Sequence, residues 1–421
     1  MDRARKLHRL ASESRNPSEA RVASRHLAAM AEQMNLDAEE LSKSSTEPEI
    51  KFDRIRVENP PSEMEEIAIR TANRVHTAMG MEGADRLGLG INHSSSCGLR
   101  PLLAKQFLDQ FKNQENAINL SCDDCEPLKL SELLALADDE SRSRWDSLEL
   151  ACGTGRGSPL PELVLQVRRL YSSVPHDGVL IASPSEAMFH AMHAMLTKGD
   201  TVVVQWPAHQ AFVEVALDIQ ARLLLWTPAT RPDGSLDFEV STLRAIMGAS
   251  SPAFSPKLLI MSCPNNPTGW LPSREDHAEI VEICKRHGSY LFSDESQRGL
   301  EYLPNTSLPA AADVYDLAIS LGSLDPLGLS GLNIGWMVSR SICLMKRIAD
   351  LLDYTSPVGN QPSQVLALIA VRAREQLLHR SRLLIKTNLG ALQSFCNKHS
   401  NVMTWFDSPT LSCIGCISQE F

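Results

Sequence analysis

The sequence has no apolar run long enough to span a bilayer and no hydrophobic signal core at its start, which argues against a membrane protein and against secretion. It also has no excess of positive charge. Asp and Glu outnumber Lys and Arg by 51 to 41, and the net charge is −10 at neutral pH. Acidic chains are poor partners for nucleic acid. We therefore expect a cytoplasmic protein that binds neither nucleic acid nor membrane, and early Arg and Ser residues leave an organelle-targeting segment open.

The ten cysteines are scattered along the chain, which is typical of a reducing compartment. Two CxxC pairs occur, at Cys122 with Cys125 and at Cys413 with Cys416. Two interpretations stay open: four thiolates that share one zinc ion, or isolated thiols. Because most of the chain separates the two pairs, we assign no metal site.

Four regions differ in composition. Residues 1–45 carry two apolar stripes at helical spacing, which predict a helical hairpin. Residues 46–102 are polar and contain Pro, and we interpret them as a linker with a helical arm. Residues 103–345 alternate strand and helix patterns, and residues 346–421 begin a smaller, incomplete C-terminal domain. The hairpin resembles a small domain of unknown function that occurs attached to varied partners.

The alternation of short aliphatic runs with helical patterns predicts an α/β fold, in which a mostly parallel sheet is flanked by helices. Ligands in such sheets bind beyond the carboxyl ends of the strands, so the loops there are the informative ones. The predicted helices include Pro184–Leu196 and Arg274–His287. The predicted strands are Gly178–Ala182, Thr201–Gln205, Ala221–Trp226, Lys257–Ser262, Tyr290–Ser293 and Leu317–Leu321.

Two of these loops have unusual composition. Residues 263–270 contain PNNPTG, which packs two Pro, one Gly and two amides into one turn, where a plain turn needs one or two such residues. Residues 293–299 place Asp294 directly at a strand end. A carboxylate there is either a solvated turn residue or a counter-charge for a cationic ring nitrogen.

A third loop, GLSGLNIGW at residues 328–336, completes a pattern with PNNPTGW. Together these segments resemble the class I/II aminotransferase family, a fold-type-I group that uses pyridoxal 5'-phosphate (PLP). Similar stretches lie at residues 118–127 and 152–159, and the resemblance runs from about Lys105 to the C-terminus. It implies a fold-type-I large domain, PLP as cofactor, an amino acid and a 2-oxo acid as substrates, and a homodimer.

The resemblance also implies roles for individual residues. Asn266 would face the pyridine hydroxyl, and Asp294 the pyridine nitrogen. His209 falls where the family often stacks an aromatic ring on the cofactor, although a lone loop histidine is also unremarkable. Ser185 falls where the family holds the phosphate at a helix N-terminus, and helix capping by Ser183 or Ser185 is the alternative. Ser323 belongs to the same set of expected cofactor contacts.

Four positions depart from the family pattern, and all of them concern the cofactor. Asp325 stands at or beside the Schiff-base lysine, and no lysine occurs between Lys285 and Lys346. An Asp carboxylate cannot form an imine or act as an amine base. Asn333 replaces an arginine that pairs with the phosphate, Gln297 replaces a tyrosine, and Pro184 lacks a backbone N–H in the phosphate loop.

A further departure concerns the substrate, because the family arginine that clamps the substrate carboxylate has no counterpart before Phe421. Three hypotheses follow from the sequence. The first is a catalytically impaired relative that keeps the fold as a binding or scaffolding module. The second is an active PLP-dependent transaminase. The third is a truncated or mispredicted gene product that does not fold stably.

Overall fold

The computed structural model describes residues 99, 102, 125–150, 159–231, 235–248, 255–303, 306–356 and 359–400. The expected helical hairpin and almost all of the linker lie outside these residues. So do three of the four CxxC cysteines and, except for their ends, the family-like segments at 118–127 and 152–159. The domain boundaries stay predictions.

The strands of the described part form one large sheet and one small ribbon. Thr201–Gln205 and Arg274–His287 match the predicted bounds, and the last predicted strand extends two residues further, to Ser323. The strands are β1 (Val179–Ala182), β2 (Thr201–Gln205), β3 (Arg222–Trp226), β4 (Ala229–Thr230), β5 (Leu236–Asp237), β6 (Pro256–Ser262), β7 (Tyr290–Asp294), β8 (Ala318–Ser323) and β9 (Gly335–Ser339).

Helices separate most of the strands of the large sheet along the chain, as the sequence predicts, although β8 and β9 are joined by 3-10 turns. They are α1 (Leu130–Leu134), α2 (Asp139–Asp146), α3 (Pro161–Arg168), α4 (Pro184–Met195), α5 (Gln210–Asp218), α6 (Val240–Gly248), α7 (Arg274–His287), α8 (Ala311–Val314), α9 (Ile342–Leu352), α10 (Gln361–Arg372) and α11 (Arg374–Lys398). Within the described ranges, no helix combines the length and the apolar character needed to cross a membrane.

The seven-stranded sheet has the order β1-β9-β8-β7-β6-β2-β3. All neighbours from β8 to β3 run parallel, and β9 runs antiparallel to both β8 and β1. Strand β2, with the sequence TVVVQ, is buried along its whole length. Continuous β-branched burial of this kind is typical of a parallel strand covered on both faces. The predicted mostly parallel sheet is confirmed.

Helix ends follow local sequence signals. Ser273 caps α7 by accepting a hydrogen bond from the backbone of Asp276, and acidic and basic residues occupy its first and last turns. Gly288 ends the same helix in the left-handed conformation, with φ of 62°. Glycine adopts this conformation without a steric penalty, so the chain can turn directly into β7.

Both faces of the sheet are packed, and side chains alternate between them along each strand. Helices α4, α5 and α9 cover one face, to which Met337 of β9 belongs. Helices α3, α10 and α11 cover the other face, to which the neighbouring Trp336 and Val338 belong. We call these the α4 face and the α11 face. Helices α6, α7 and α8 extend the α11 face over β6, β7 and β3.

Candidate functional site

The candidate site lies along the edge of the sheet where the parallel strands end. Register places Ser262 at the end of β6 beside Asp294 at the end of β7. Ser323 at the end of β8 pairs with Gly335, where β9 begins, and Gly335 also pairs with Ala182 at the end of β1. The three loops singled out in the sequence therefore leave the sheet from the same edge.

Asp294 points toward the α4 face, since Phe292 two residues earlier packs in the core of that face. Its carboxylate accepts hydrogen bonds from the backbone N–H of Ser296 at 3.0 Å and from the Ser296 hydroxyl at 2.5 Å. Burial raises the pKa of Asp294, while the Ser296 bonds and the nearby charge of His209 oppose the rise. A partly buried carboxylate in this position can hold a proton or pair with a cation.

His209 begins α5 beyond the end of β2 and is exposed. Its Nδ1 accepts a hydrogen bond from the backbone N–H of Ala211 at 3.3 Å, so the ring acts as a helix cap. The ring also meets Phe212 edge-on, with ring centroids 6.4 Å apart. The electrostatic effect on Asp294 places these two predicted site residues at the same end of the sheet.

The side-chain amides of two buried residues, Gln205 and Asn265, hold the loop that contains PNNPTG. Neither residue was among the predicted cofactor contacts. Gln205 Oε1 accepts from the backbone N–H of Ser262 at 2.9 Å and from Asn265 Nδ2 at 3.1 Å. Asn265 Oδ1 accepts from the Thr268 hydroxyl at 2.6 Å. Asn265 therefore has a structural role, and the predicted contact residue Asn266 follows it with its side chain partly exposed. The two consecutive Asn residues were the only indication in the sequence that one of them has a structural role.

Two buried polar atoms near this edge have no hydrogen-bond partner among the described residues. They are Nε2 of Gln205 and Oε1 of Gln297. Buried polar atoms are nearly always hydrogen-bonded, and an unpaired one indicates a water or a ligand that completes the bond. Gln297 lies three residues after Asp294, in the same loop. Its free acceptor is consistent with a donor group bound near this loop.

The first turn of α4 carries a negative charge of its own. Ser183 caps the helix and Pro184 occupies its first position. The Glu186 carboxylate accepts from the Ser356 hydroxyl at 2.7 Å and from the Ser183 hydroxyl at 3.1 Å. Burial disfavours ionisation, yet these hydrogen bonds lower the pKa of Glu186 overall. Ser183 is therefore the residue that caps the helix, and Ser185 is exposed.

Asp325 opens a 3-10 turn, Asp325–Leu327, directly beyond β8. Its backbone N–H donates to the Ser323 hydroxyl at 3.2 Å, and its carbonyl accepts from Gly328 at 3.0 Å. Gly328 has φ of 74°, and a Cβ there would lie 2.4 Å from the carbonyl oxygen of Glu126. Backbone bonds and a glycine thus form this turn.

Asn333 ends the next turn, Ser330–Leu332, in the left-handed conformation with φ of 50°. Asn tolerates this conformation better than most residues. The side chain is exposed, like that of Ser185. Among the described residues, the structure records no contact that joins Asn333 or Ser185 to Asp294. Ser323 does connect to the Asp294 loop, because its hydroxyl donates to the carbonyl of Ser296 at 3.4 Å.

The family described as "Aminotransferase class I and II" matches residues 157–404, which is more than half of the chain. This protein belongs to the class I and II aminotransferase family. The described part covers most of the matched segment, including the whole seven-stranded sheet.

Curated relatives match a shorter part. Histidinol-phosphate aminotransferase of Thermoanaerobacter sp. is 27% identical over 221 residues, which cover 51% of this chain and 57% of the relative. Kynurenine–oxoglutarate transaminase 3 of Rattus norvegicus is 24% identical over 199 residues, which cover 44% of this chain and 43% of the relative. The chain thus spans about half the length of the curated relatives it matches.

Solved structures share the fold. A PLP-dependent aminotransferase from Streptococcus suis superposes with a TM-score of 0.64 at 24% identity, covering 75% of this chain and 80% of that one. Aspartate aminotransferase from Thermus thermophilus, solved with maleate, gives 0.63 at 17% identity, covering 74% and 81%. These likenesses establish the fold-type-I architecture, and PLP is the cofactor that the family implies.

The residues of this aminotransferase-family chain match only part of PLP. The ring nitrogen needs a counter-charge, and Asp294 offers a partly buried carboxylate at the strand edge. The phosphate needs N–H donors, but Pro184 has none, and the Glu186 carboxylate lies in the same helix turn. The covalent link needs an amine, and Asp325, which the family resemblance puts at or beside the lysine position, has a carboxylate. The site fits the ring and does not fit the phosphate or the tether.

Proposed function

We propose that this member of the class I and II aminotransferase family is a catalytically impaired binding protein and not a working transaminase. The observation that carries the proposal is Asp325 in the turn after β8, at or beside the position where the family resemblance puts the Schiff-base lysine. The nearest lysines in sequence, Lys285 and Lys346, are exposed on α7 and α9. Neither follows a strand at the carboxyl edge.

The same proposal assigns a non-covalent ligand to the edge of the sheet. Asp294 would face a protonated ring nitrogen, Asn266 and Gln297 a ring hydroxyl, and His209 one face of the ring. The partly buried carboxylate of Asp294 and the unpaired Oε1 of Gln297 support these roles. Ser185, Ser323 and Asn333 would contribute only neutral groups to a phosphate.

The weakness of the phosphate subsite has an expected magnitude. Each charge-assisted hydrogen bond is worth about 1.5–3 kcal/mol, so loss of one arginine pair alone weakens binding by roughly tenfold or more. The negative charge of Glu186 in the first turn of α4 adds repulsion. We therefore expect PLP to bind weakly and to be removed by desalting.

The experiment is incubation of the purified chain with PLP, followed by borohydride reduction, peptide mapping and a transaminase assay with a panel of amino acids and 2-oxo acids. We expect no lysine of the parent chain to form a stoichiometric, site-specific adduct, and no turnover. The variant Asp325→Lys supplies the missing amine and is expected to gain an adduct at position 325, whereas Asp325→Asn is the matched control. Turnover by the parent chain, or PLP that stays bound through desalting before reduction, contradicts the proposal.

An active PLP-dependent transaminase is the second candidate. The observation in its favour is Asp294, a partly buried carboxylate that can serve as the counter-charge of a ring nitrogen. Burial raises its pKa, and the hydrogen bonds from Ser296 and the charge of His209 oppose that rise. It requires an amine from a residue other than 325. In the mapping experiment, a specific adduct at any lysine together with turnover supports this candidate.

The assembly and location of the protein belong to the same proposal. Family resemblance implies a homodimer, and the acidic, cysteine-scattered composition favours the cytoplasm. Light scattering coupled to size exclusion tests the first point. A monomer at the highest concentration that stays in solution contradicts it. The N-terminal hairpin at residues 1–45 stays a predicted helical hairpin that resembles a small domain of unknown function.

A further inference from the structure

A cavity of about 320 Å³ lies on the α11 face of the sheet, and its wall includes Ser323, one of the expected cofactor contacts. Gly322 of β8 and Trp336 of β9 form part of its wall, and both project toward the α11 face. Successive side chains at the end of β7 point to opposite faces of the sheet, which separates the cavity from Asp294. Asp294 points to the α4 face, and the next residue, Glu295, lines the cavity.

Three guanidinium groups line this cavity, contributed by Arg298 of the β7–α8 loop and by Arg374 and Arg382 of α11. Arg374 and Arg298 lie close enough for the charge of one to affect the pKa of the other. Gly299 permits the approach of the loop to α11, because a Cβ there would lie 2.9 Å from Nη2 of Arg374.

These arginines use only part of their hydrogen-bonding capacity. Arg382 donates from Nε to the carbonyl of Gly299 at 2.6 Å, and within the described ranges no carboxylate pairs with it. Arg374 pairs through Nη1 with Glu375, whose side chain is 78% exposed. A guanidinium has five N–H donors, so both residues keep donors for a further acceptor.

Apart from Glu375, which is exposed and pairs with Arg374, the acidic residues of the cavity have other partners. Glu295 is 5% exposed and accepts from the backbone of Ala311 at 2.9 Å and from the Ser320 hydroxyl at 2.6 Å, in addition to its ion pair with Arg298. Glu301 accepts from the backbone N–H of Gly299 at 2.8 Å. The cationic groups of Arg374 and Arg382 therefore lack a buried counter-charge within the described part.

A hydroxyl donor and apolar walls complete the cavity. The Tyr171 hydroxyl accepts from the indole N–H of Trp336 at 2.9 Å, and its own proton has no acceptor among the described residues. The Tyr171 ring also lies under Arg298, whose guanidinium carbon is 5.9 Å from the ring centroid. Leu303 and Leu378 add apolar surface.

We propose that this cavity binds a small organic acid, whose carboxylate pairs with Arg374 and Arg382 and whose apolar body packs on the leucine and tryptophan walls. Guanidinium groups pair with carboxylates bidentately, and the free Tyr171 hydroxyl supplies another donor. The volume accommodates a chain of about six carbons. Ser323 lines this cavity and also belongs to the expected cofactor contacts, but the carboxylate subsite does not rest on the proposed function, because Arg374 and Arg382 lie on the other side of the sheet from Asp294.

Calorimetric titration of the full chain with hexanoate tests the proposal, with hexanamide as the neutral analogue of the same shape and inorganic phosphate as a bare anion. We expect one hexanoate per chain, at least tenfold weaker binding of hexanamide, and no binding of phosphate in this cavity. Arg374→Gln and Arg382→Gln are each expected to weaken hexanoate binding by roughly ten- to 100-fold.

Two further variants keep the test decisive. Tyr171→Phe removes only the hydroxyl and is expected to weaken binding severalfold while the fold persists, as checked by circular dichroism. Arg286→Gln removes an exposed arginine on α7 and is expected to change nothing. Absent hexanoate binding, equal affinity for hexanoate and hexanamide, equal affinity in all four variants, or a preference for phosphate each overturns the proposal.

Discussion

Replacement of Asp294 by asparagine is the sharpest probe of the candidate site, because the two side chains have nearly the same shape. The carboxylate lies partly buried at the end of β7 and has its hydrogen bonds only from Ser296 among the described contacts. Asparagine Oδ1 can accept both of these bonds. The substitution therefore removes the ionisable group and leaves the packing in place.

The sign of the effect follows from the pKa. Burial raises the pKa of Asp294, so the folded chain binds the proton more tightly than the unfolded chain. The contribution to stability is fully present below the ordinary aspartate pKa and is lost as the pH rises through the raised value in the folded state. At neutral pH the ionised Asp294 thus costs stability, and Asp294→Asn is expected to be more stable by about 1 kcal/mol, a figure kept small because solvent reaches the carboxylate.

Urea unfolding followed by circular dichroism between pH 4 and pH 8 measures this difference. The stabilisation by Asp294→Asn is expected to be largest at pH 7–8 and to vanish near pH 4. Asp177→Asn is the matched control, because Asp177 is 83% exposed, and it is expected to leave the pH profile unchanged. A variant that is less stable than the parent at neutral pH, or a stability difference that does not depend on pH, refutes the inference that burial raises the pKa of Asp294.

Three other substitutions test the packing around the two sites, each measured by urea unfolding. Asn265→Ala is expected to lower the free energy of unfolding by about 1–3 kcal/mol, because it removes a buried amide that donates to Gln205 and accepts from Thr268. Gly322→Ala places a Cβ 2.4 Å from the Trp336 indole nitrogen and is expected to cost about 1–3 kcal/mol with a shifted tryptophan emission, while Gly331→Ala, which meets nothing, costs far less. Glu186→Gln removes a carboxylate whose pKa is lowered, so it is expected to cost about 0.5–1 kcal/mol at neutral pH, and this cost is expected to decrease as the pH falls through the lowered pKa.

The sequence predicted the sheet well because its strands carry local signals. Buried aliphatic runs such as Thr201–Gln205 indicate both the strand and its position inside a parallel sheet. The serine cap and terminal glycine of α7 likewise define the helix bounds. The antiparallel pairing of β9 with β1 was not predicted, since strand order depends on contacts between segments far apart in the chain.

The contents of the sites were less accessible from sequence. The sequence around Gln205 does not indicate that its side chain accepts a hydrogen bond from Ser262, just before the loop of PNNPTG, because the two residues lie 57 positions apart. The roles of Asp294 and Glu295 differ for a related reason. The two carboxylates are adjacent in sequence, yet the pleat of β7 directs them to opposite faces of the sheet. Only the structure distinguishes the candidate cofactor site from the arginine-lined cavity.

The turn after β8 explains how a family member can keep the fold with an acid at position 325. The turn is held by the Gly328 backbone, by the Ser323 hydroxyl, and by a close approach to the carbonyl of Glu126 that only glycine permits. Pro326 and Leu327 supply its buried side chains. Because none of these contacts requires the side chain of residue 325 to be an amine, the physical demands of folding and of imine chemistry fall on different atoms. Under the proposed function, a comparison of Asp325→Lys with Asp325→Asn therefore tests whether an amine at this position restores imine chemistry, and urea unfolding of both variants checks that the turn persists.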